Sequence, residues 1–344
     1  MTVQRWDAPD KVEAQKLRFQ AGDVIFGRRR AYQKKVALAE FEGICSAHAL
    51  VLRGRPHYLE PDFLPVFLSS DYFLDRAVSI SVGSLSPTVN WRDLKVQEFN
   101  FPPLDEQKRI ADLVWAIERH RAALTHSAAQ ARGALAQVTA ARLGSLPTTT
   151  RLGDLTTTRS GPSFSASDVH DSPVSGSVPV MGIPNTRPDG VIDLEGVGHV
   201  TGLPHTVGRI DESSLVLIRT NGNRQRIGNV YVPPLEAHGH AVSAFQFLMQ
   251  ANDPADREFL FWVLSEDGMQ QRMSDGASGT VGLGNLAVRW LNEQIIPWSA
   301  NPSERNATVE ELKNHNSALT AIRAEIDATS AVSRAVLADV FGGN

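Results

Sequence analysis

The chain has 344 residues, of which 42% are hydrophobic and 21% charged, with a formal net charge of −4. At roughly 150 residues per domain this suggests about two globular domains with ordinary cores. One cysteine, Cys45, excludes a disulfide framework and a Cys-based zinc cluster. No apolar run approaches the ~20 residues of a membrane span, and the N-terminus has no apolar leader, so a cytoplasmic protein is expected. The charge is uneven. Residues 1–58 hold 11 Lys and Arg against 6 Asp and Glu, a net of +5, which leaves −9 for the rest. The basic excess centres on Arg28, Arg29, Arg30, Lys34 and Lys35, with Tyr32 among them. Such a run can hold a polyanion or can simply be a solvated turn.

In chain order, Asp23-Val24-Ile25-Phe26 reads as an apolar strand opening into that basic turn. Ser46-Ala47-His48 leads into a second apolar run, and Phe63-Leu64-Pro65-Val66-Phe67-Leu68-Ser69-Ser70-Asp71 follows. Pro102-Pro103 breaks the chain before a long segment, 105–143, with few helix breakers. Its apolar residues Ile110, Val114, Ile117, Leu124, Ala128, Ala131, Leu135 and Val138 recur at steps of three and four, with Arg121 in the stripe. Asp105 is expected to cap this helix and Gly144 to close it. Residues 151–300 are rich in Gly, Pro, Ser, Thr and β-branched runs. Short strands are expected at 178–183, 214–218 and 228–232, and a helix at 259–264. A second long segment, 304–341, carries Val309, Leu312, Leu319, Ile322, Ile326, Val336 and Val340 in one stripe with Asn316. Ser303 is its expected cap, and Gly342-Gly343 its end. Two such seams in one chain can bury each other as paired rods.

The order of these blocks repeats. Phe63 to Asp71 matches Phe259-Leu260-Phe261-Trp262-Val263-Leu264-Ser265-Glu266-Asp267, and Gly83-Ser84 matches Gly279-Thr280, both at a spacing of 196. Pro102 matches Pro297, Ser46-Ala47-His48 matches Ser243-Ala244-Phe245, and Asp23 to Phe26 matches Ser214-Leu215-Val216-Leu217-Ile218-Arg219. The chain therefore reads as a duplicated unit. The second copy opens with Arg151-Leu152-Gly153-Asp154-Leu155, and the first is expected to be shorter at its start by roughly 40 residues, judged from the offset. The expected fold is α+β, with two globules and two long antiparallel helices. The boundaries are 1–103 for the first, partial globule, 104–144 for the first helix, 145–302 for the second globule and 303–344 for the second helix.

Catalytic chemistry has no candidate. There is no phosphate-binding loop, dinucleotide fingerprint or nucleophile elbow. The Asp/Asn-Pro-Pro-aromatic motif of amino-methyltransferases is also missing. His238-Gly239-His240 has metal-like spacing but no third ligand placed beside it, so no metal site is expected. Cys45 is expected to be a buried, inert thiol.

The run Gly22-Asp23-Val24-Ile25-Phe26-Gly27-Arg28-Arg29-Arg30-Ala31-Tyr32 together with Phe101-Pro102-Pro103-Leu104-Asp105-Glu106-Gln107-Lys108-Arg109-Ile110-Ala111 resembles the specificity subunit of Type I restriction–modification systems. Arg151 to Leu155 resembles the opening of a second recognition domain. The resemblance implies two target-recognition domains held apart by paired helices, each reading half of a split double-stranded DNA target. It implies a non-catalytic subunit without a cofactor of its own. S-adenosylmethionine would be bound by methyltransferase partners and ATP by a motor-nuclease partner. It also implies partner contacts at Leu104, Glu106, Gln107 and Ile110. The DNA candidates are Arg28, Arg29, Arg30, Tyr32, Lys34 and Lys35 in the first domain. In the second they are Arg219, Asn221, Asn223, Arg224, Gln225 and Arg226, side chains able to pair with guanine or adenine edges. Asn221-Gly222 also suits a tight hairpin turn. Asn185, Arg187, Ser278 and Thr280 are lesser candidates. Two features depart from the family pattern: the short first domain, and the second copy's degraded Pro297-Trp298-Ser299-Ala300-Asn301-Pro302-Ser303-Glu304 phrase. A remnant that binds methyltransferase with only one working recognition domain is the alternative.

Overall fold

A computed structural model describes residues 2–3, 6–8, 15–33, 35–279 and 283–342. Lys34, Thr280 and Gly343 lie outside the described residues. The chain forms two compact units, residues 1–129 with 320–344, and residues 130–319. The two long helices, Leu104–Gly144 and Pro302–Phe341, each contribute to both units.

In unit 1, the strand Val24–Gly27 is central in a three-stranded antiparallel sheet between Val36–Leu38 and Ala49–Leu52. Alternation puts Val24 and Phe26 inward, where both are fully buried. They meet Phe63, Val66 and Phe67 of the helix Phe63–Ser69 and Phe73 and Leu74 of the helix Asp71–Ser79. Lys16–Phe19 pairs separately with Gly43–Ser46 as a two-stranded ribbon. Cys45 lies on this ribbon and is half-buried, not in the core as expected. Burial still pushes its thiol pKa up, which keeps it protonated and unreactive.

Unit 2 repeats this plan. Ser214–Ile218 lies between Val230–Tyr231 and Gln246–Ala251 in an antiparallel sheet, followed by helices Arg257–Ser265 and Asp267–Gly276. A short helix then precedes each rod: Trp91–Leu94 in unit 1 and Val288–Asn292 in unit 2. Unit 2 has more. A second four-stranded sheet is built from Val169–His170, Val178–Met181, Gly198–Val200 and Ala241–Val242. The segment opening unit 2's globule also reaches three elements. Thr148–Arg151 pairs with Ile295–Trp298, the turn Leu152–Leu155 packs on Val288–Asn292, and Thr156–Ser160 pairs antiparallel with Gln246–Ala251.

The predicted seams are the buried stripes of the rods. Within unit 1 the helices run antiparallel: Ile110, Ala111 and Val114 share a core with Val336, Val340 and Phe341, while His120 bonds Glu325 at 3.0 Å. Within unit 2, Leu135, Val138 and Leu143 share a core with Val309 and Leu312, and Arg142 pairs with Glu311 at 3.2 Å. Towards mid-helix the seam residues other than Leu319 are only half-buried, as expected where one helix covers another without a third. At 1.5 Å per residue each rod is roughly 60 Å long. The caps differ from expectation. The first helix begins at Leu104, which puts Asp105 inside its first turn. The second begins at Pro302, and the Asn301 side chain, not Ser303, accepts from the Ser303 amide at 3.0 Å. Proline at the first helical position has no amide to satisfy there.

Candidate nucleic-acid interface

The two basic loops grow from equivalent sockets. In unit 1 the Arg28 amide donates to the His48 carbonyl at 3.2 Å, and the Arg28 carbonyl accepts from Val89 at 2.9 Å. In unit 2 the Arg219 amide donates to the Phe245 carbonyl at 2.9 Å, and the Arg219 carbonyl accepts from Leu286 at 2.9 Å. His48 and Val89 each lie 197 positions before their counterparts, so both loops leave the sheet between the same two neighbours. The neighbouring loops turn on Gly83, at φ 113°, and Gly279, at φ 134°, where a side chain would be strained. In both sockets the arginine Nε is buried without a hydrogen-bond partner.

From the first socket, Arg29 and Arg30 project outwards, and both guanidinium groups donate Nε–H to the Ser86 hydroxyl at 3.2 Å. Arg30 sits at φ 55°, held by its amide bond to the Pro87 carbonyl at 2.7 Å. Lys35 is exposed, and Tyr32 is 54% exposed on a short 3-10 turn. The structure therefore brings Arg28, Arg29, Arg30, Tyr32 and Lys35 to one corner beside residues 82–88. Ser86 belongs to that corner and was missed. A serine in a Gly-Ser-Leu-Ser run carries no signal of its own, although Gly83-Ser84 marked the loop in the repeat.

The second loop is less free. Asn221 is not in a hairpin turn: Thr220–Asn221 pairs with Gly284–Asn285, and Gly222 does not take a positive φ. The Asn221 and Asn223 side-chain carbonyls accept from the backbone amides of Asn223 and Gln225 at 2.9 and 3.1 Å. Arg224 donates to the Ala277 carbonyl at 2.6 Å, and Arg226 to the Thr186 carbonyl and to the Tyr231 hydroxyl, the latter at 3.3 Å. Arg219 donates to the Ala244 carbonyl and lies over the Phe247 ring. Arg219, Arg224 and Arg226 thus brace the loop, and Asn223 and Gln225 are exposed at its tip.

Asn185 is buried, and its amide holds the carbonyls of Asp193 and Glu195. Arg187 is paired with Asp189 and Asp193. Ser278 bonds the Asn285 carbonyl. These three serve loop structure. Of the expected partner contacts, Ile110 lies in the unit 1 core, and Gln107 is 1% exposed. Gln107 accepts from the Glu60 amide and donates to the Tyr58 and Pro102 carbonyls. Both anchor the rod internally, which leaves Leu104 and the Glu106–Arg109 pair at the surface. His240 is half-buried, and burial pushes its pKa down. Among the described residues no group of three His, Cys, Asp or Glu could hold a metal, and no helix is long and apolar enough to cross a membrane.

Two α+β units with matching loop sockets, sharing a pair of long helices, define a duplicated scaffold. The fold is that of known Type I specificity subunits. It matches a chain from a type I R-M system described for complex assembly and conformational transition, with a TM-score of 0.58 at 19% identity over 96% of this chain and 84% of that one. It also matches the Type-I restriction-modification S subunit of M. genitalium, with a TM-score of 0.52 at 16% identity over 95% and 84%. Residues 10–130 match the family described as the Type I restriction modification DNA specificity domain. The Type I restriction enzyme EcoDI specificity subunit of Escherichia coli is 31% identical over 101 residues, which is 29% of this chain and 22% of that protein. Residues 10–130 thus carry a Type I restriction modification DNA specificity domain, and the chain as a whole has the fold of the matched structures.

Proposed function

We propose that the chain is a non-catalytic subunit that reads a bipartite double-stranded DNA target, one half with each unit. In this reading it directs methyltransferase subunits, and a motor-nuclease subunit, to that site. The observation that carries the reading is the repeated socket, which presents a basic or amide-rich loop at the same place on both units. Arg29, Arg30 and Lys35 contact phosphates and set the register, while Asn223 and Gln225 reach base edges. The chain itself binds no cofactor; S-adenosylmethionine and ATP belong to the partners. Leu104 and Glu106 lie at the partner-facing end of the first rod.

The test uses the assembled complex and measures specific and non-specific DNA binding across salt. Replacing Arg29, Arg30 and Lys35 with Ala removes up to three phosphate contacts. The slope of log K against log salt should then become shallower by about 2–3. Replacing Asn223 and Gln225 with Ala should leave the slope unchanged and relax base discrimination by about 1–3 kcal/mol. Unchanged affinity, slope and discrimination in both variants would refute the reading.

A further inference from the structure

The cationic corner of unit 1 has an apolar point. Among the described residues Leu85 is the most exposed large apolar side chain, with 95% of its surface open, and Val82 nearby is 64% exposed. A single exposed leucine is ordinary on a free loop. This loop is not free. Val82 and Thr88 exchange both main-chain hydrogen bonds at 3.0 Å, which closes its base, and Thr88 also bridges to Arg29. The Thr88 hydroxyl donates to the Ser86 carbonyl at 3.0 Å, and the Arg30 amide donates to the Pro87 carbonyl at 2.7 Å. Pro87 has a fixed φ and removes further freedom. Leu85 is midway between Val82 and Thr88. The hydroxyl of the next residue, Ser86, accepts from the Nε–H groups of both Arg29 and Arg30 at 3.2 Å. The loop therefore holds one bare leucine in water beside two guanidinium groups, on a backbone tied down at both ends.

The repeat points the same way. At the spacing of 196 that aligns Gly83-Ser84 with Gly279-Thr280, Leu85 corresponds to Val281. Val281 lies outside the described residues, but an apolar residue stands at this place in both copies. A basic surface that meets a duplex sets its arginines on phosphates or in a narrow minor groove. An apolar side chain fixed beside them leaves water only by moving in among the bases. Leucines placed in this way enter a base step from the minor groove, partly unstack it and bend the duplex by about 20–90°. The arginines supply attraction that ignores sequence. The leucine makes binding depend on how readily a step unstacks, and pyrimidine–purine steps yield most readily.

We infer that Leu85 is a wedge that enters a base step of the half-site read by unit 1 and bends the duplex there. This rests on the DNA reading proposed above and adds to it a residue that determines specificity through DNA shape. Burial of a leucine side chain strengthens an association by about tenfold or more, and unstacking offsets part of that gain.

The experiment uses the chain assembled with its methyltransferase subunits and, as probe, a short duplex carrying the sequence that the complex methylates. Affinity is measured across salt, and the bend by energy transfer between dyes on the two duplex ends. Leu85 is almost wholly in water, so its replacement leaves the folded chain unchanged. For Leu85→Ala the expected result is specific binding about tenfold weaker, a smaller bend, and the same slope of log K against log salt. Leu85→Met should keep both affinity and bend, because the wedge needs an apolar side chain of similar length. Binding of Leu85→Ala within about twofold of the wild type would overturn the inference. So would weaker binding with an unchanged bend, which puts Leu85 against base edges without unstacking. In both of these cases, specific binding by the wild-type complex leaves the DNA reading standing. A wild-type complex with no preferred sequence would remove that reading, and the wedge with it.

Discussion

The ion pair Asp256–Arg305 ties the second rod to unit 2, and its removal has a calculable consequence. Both side chains are largely buried, with 11% and 7% of their surface exposed. Arg305 donates to Asp256 at 2.7 Å and to the Ser299 carbonyl at 2.7 Å, and its guanidinium lies 4.3 Å from the Trp298 ring centre. Asp256→Ala leaves that cation buried with one carbonyl and one ring face, and breaking such a pair costs about 3–5 kcal/mol. Against a total stability of about 5–15 kcal/mol this is a large share. Replacing both members with apolar residues removes the desolvated charge together with its partner and costs far less. Urea unfolding of Asp256→Ala, Arg305→Met and the double variant, followed by tryptophan fluorescence, closes the cycle. Each single variant should lose about 3–5 kcal/mol, with the double variant losing far less than the sum of the two. Single losses below about 1 kcal/mol, or strictly additive losses, would show that the pair is not the tie described.

Three further outcomes follow from packing and charge. Phe341→Ala should destabilise unit 1 by about 3–5 kcal/mol, because Phe341 is buried against Phe63, Phe67 and Tyr72; thermal melts should show this. Gly161→Ala should cost at least about 1–3 kcal/mol by chemical denaturation, since its Cβ would meet the Val242 carbonyl oxygen at 2.0 Å. The hydrogen bond from Arg53 holds the Asp23 carboxyl below the usual range, against the opposing effect of burial. A lowered native pKa adds stability that is present above the unfolded value of about 3.9 and lost as pH falls through the native value. Melting temperature of the wild type should therefore drop more steeply below about pH 4 than that of Asp23→Asn, and parallel profiles would contradict this.

The rods were legible almost residue by residue. A seam repeats its signal over many turns, so one polar interruption such as Arg121 or Asn316 does not erase it. Both polar residues do lie in the half-buried stripe. The strands flanking the loops were legible for the same reason, as apolar runs at matching places in a repeat. The roles of individual loop residues were not. Arg224 and Arg29 look alike in sequence, yet one is fastened to the Ala277 carbonyl and the other reaches outwards to Ser86. That distinction depends on residues about 50 positions away, and loop chemistry has no period to reveal it. Gln107 and Ile110 show the same limit. A recognisable phrase marks a place in the chain, but burial decides whether it faces a partner or its own core.

The sockets explain how one scaffold can carry two different loops. Each arginine backbone is clamped on both sides by main-chain bonds, from the turn at 48/245 and the loop at 89/286. Main-chain clamps do not depend on the side chains that follow, so the loop beyond them can change without moving its base. Unit 1 uses this freedom for an exposed cationic corner with few ties. Unit 2 uses it for a loop braced by three arginines, with Asn223 and Gln225 at the tip. Charge without fixed geometry favours phosphate, whereas amides on a braced loop favour base edges. If the chain reads DNA as proposed, unit 2 should on these grounds contribute more of the sequence discrimination and unit 1 more of the salt-dependent affinity.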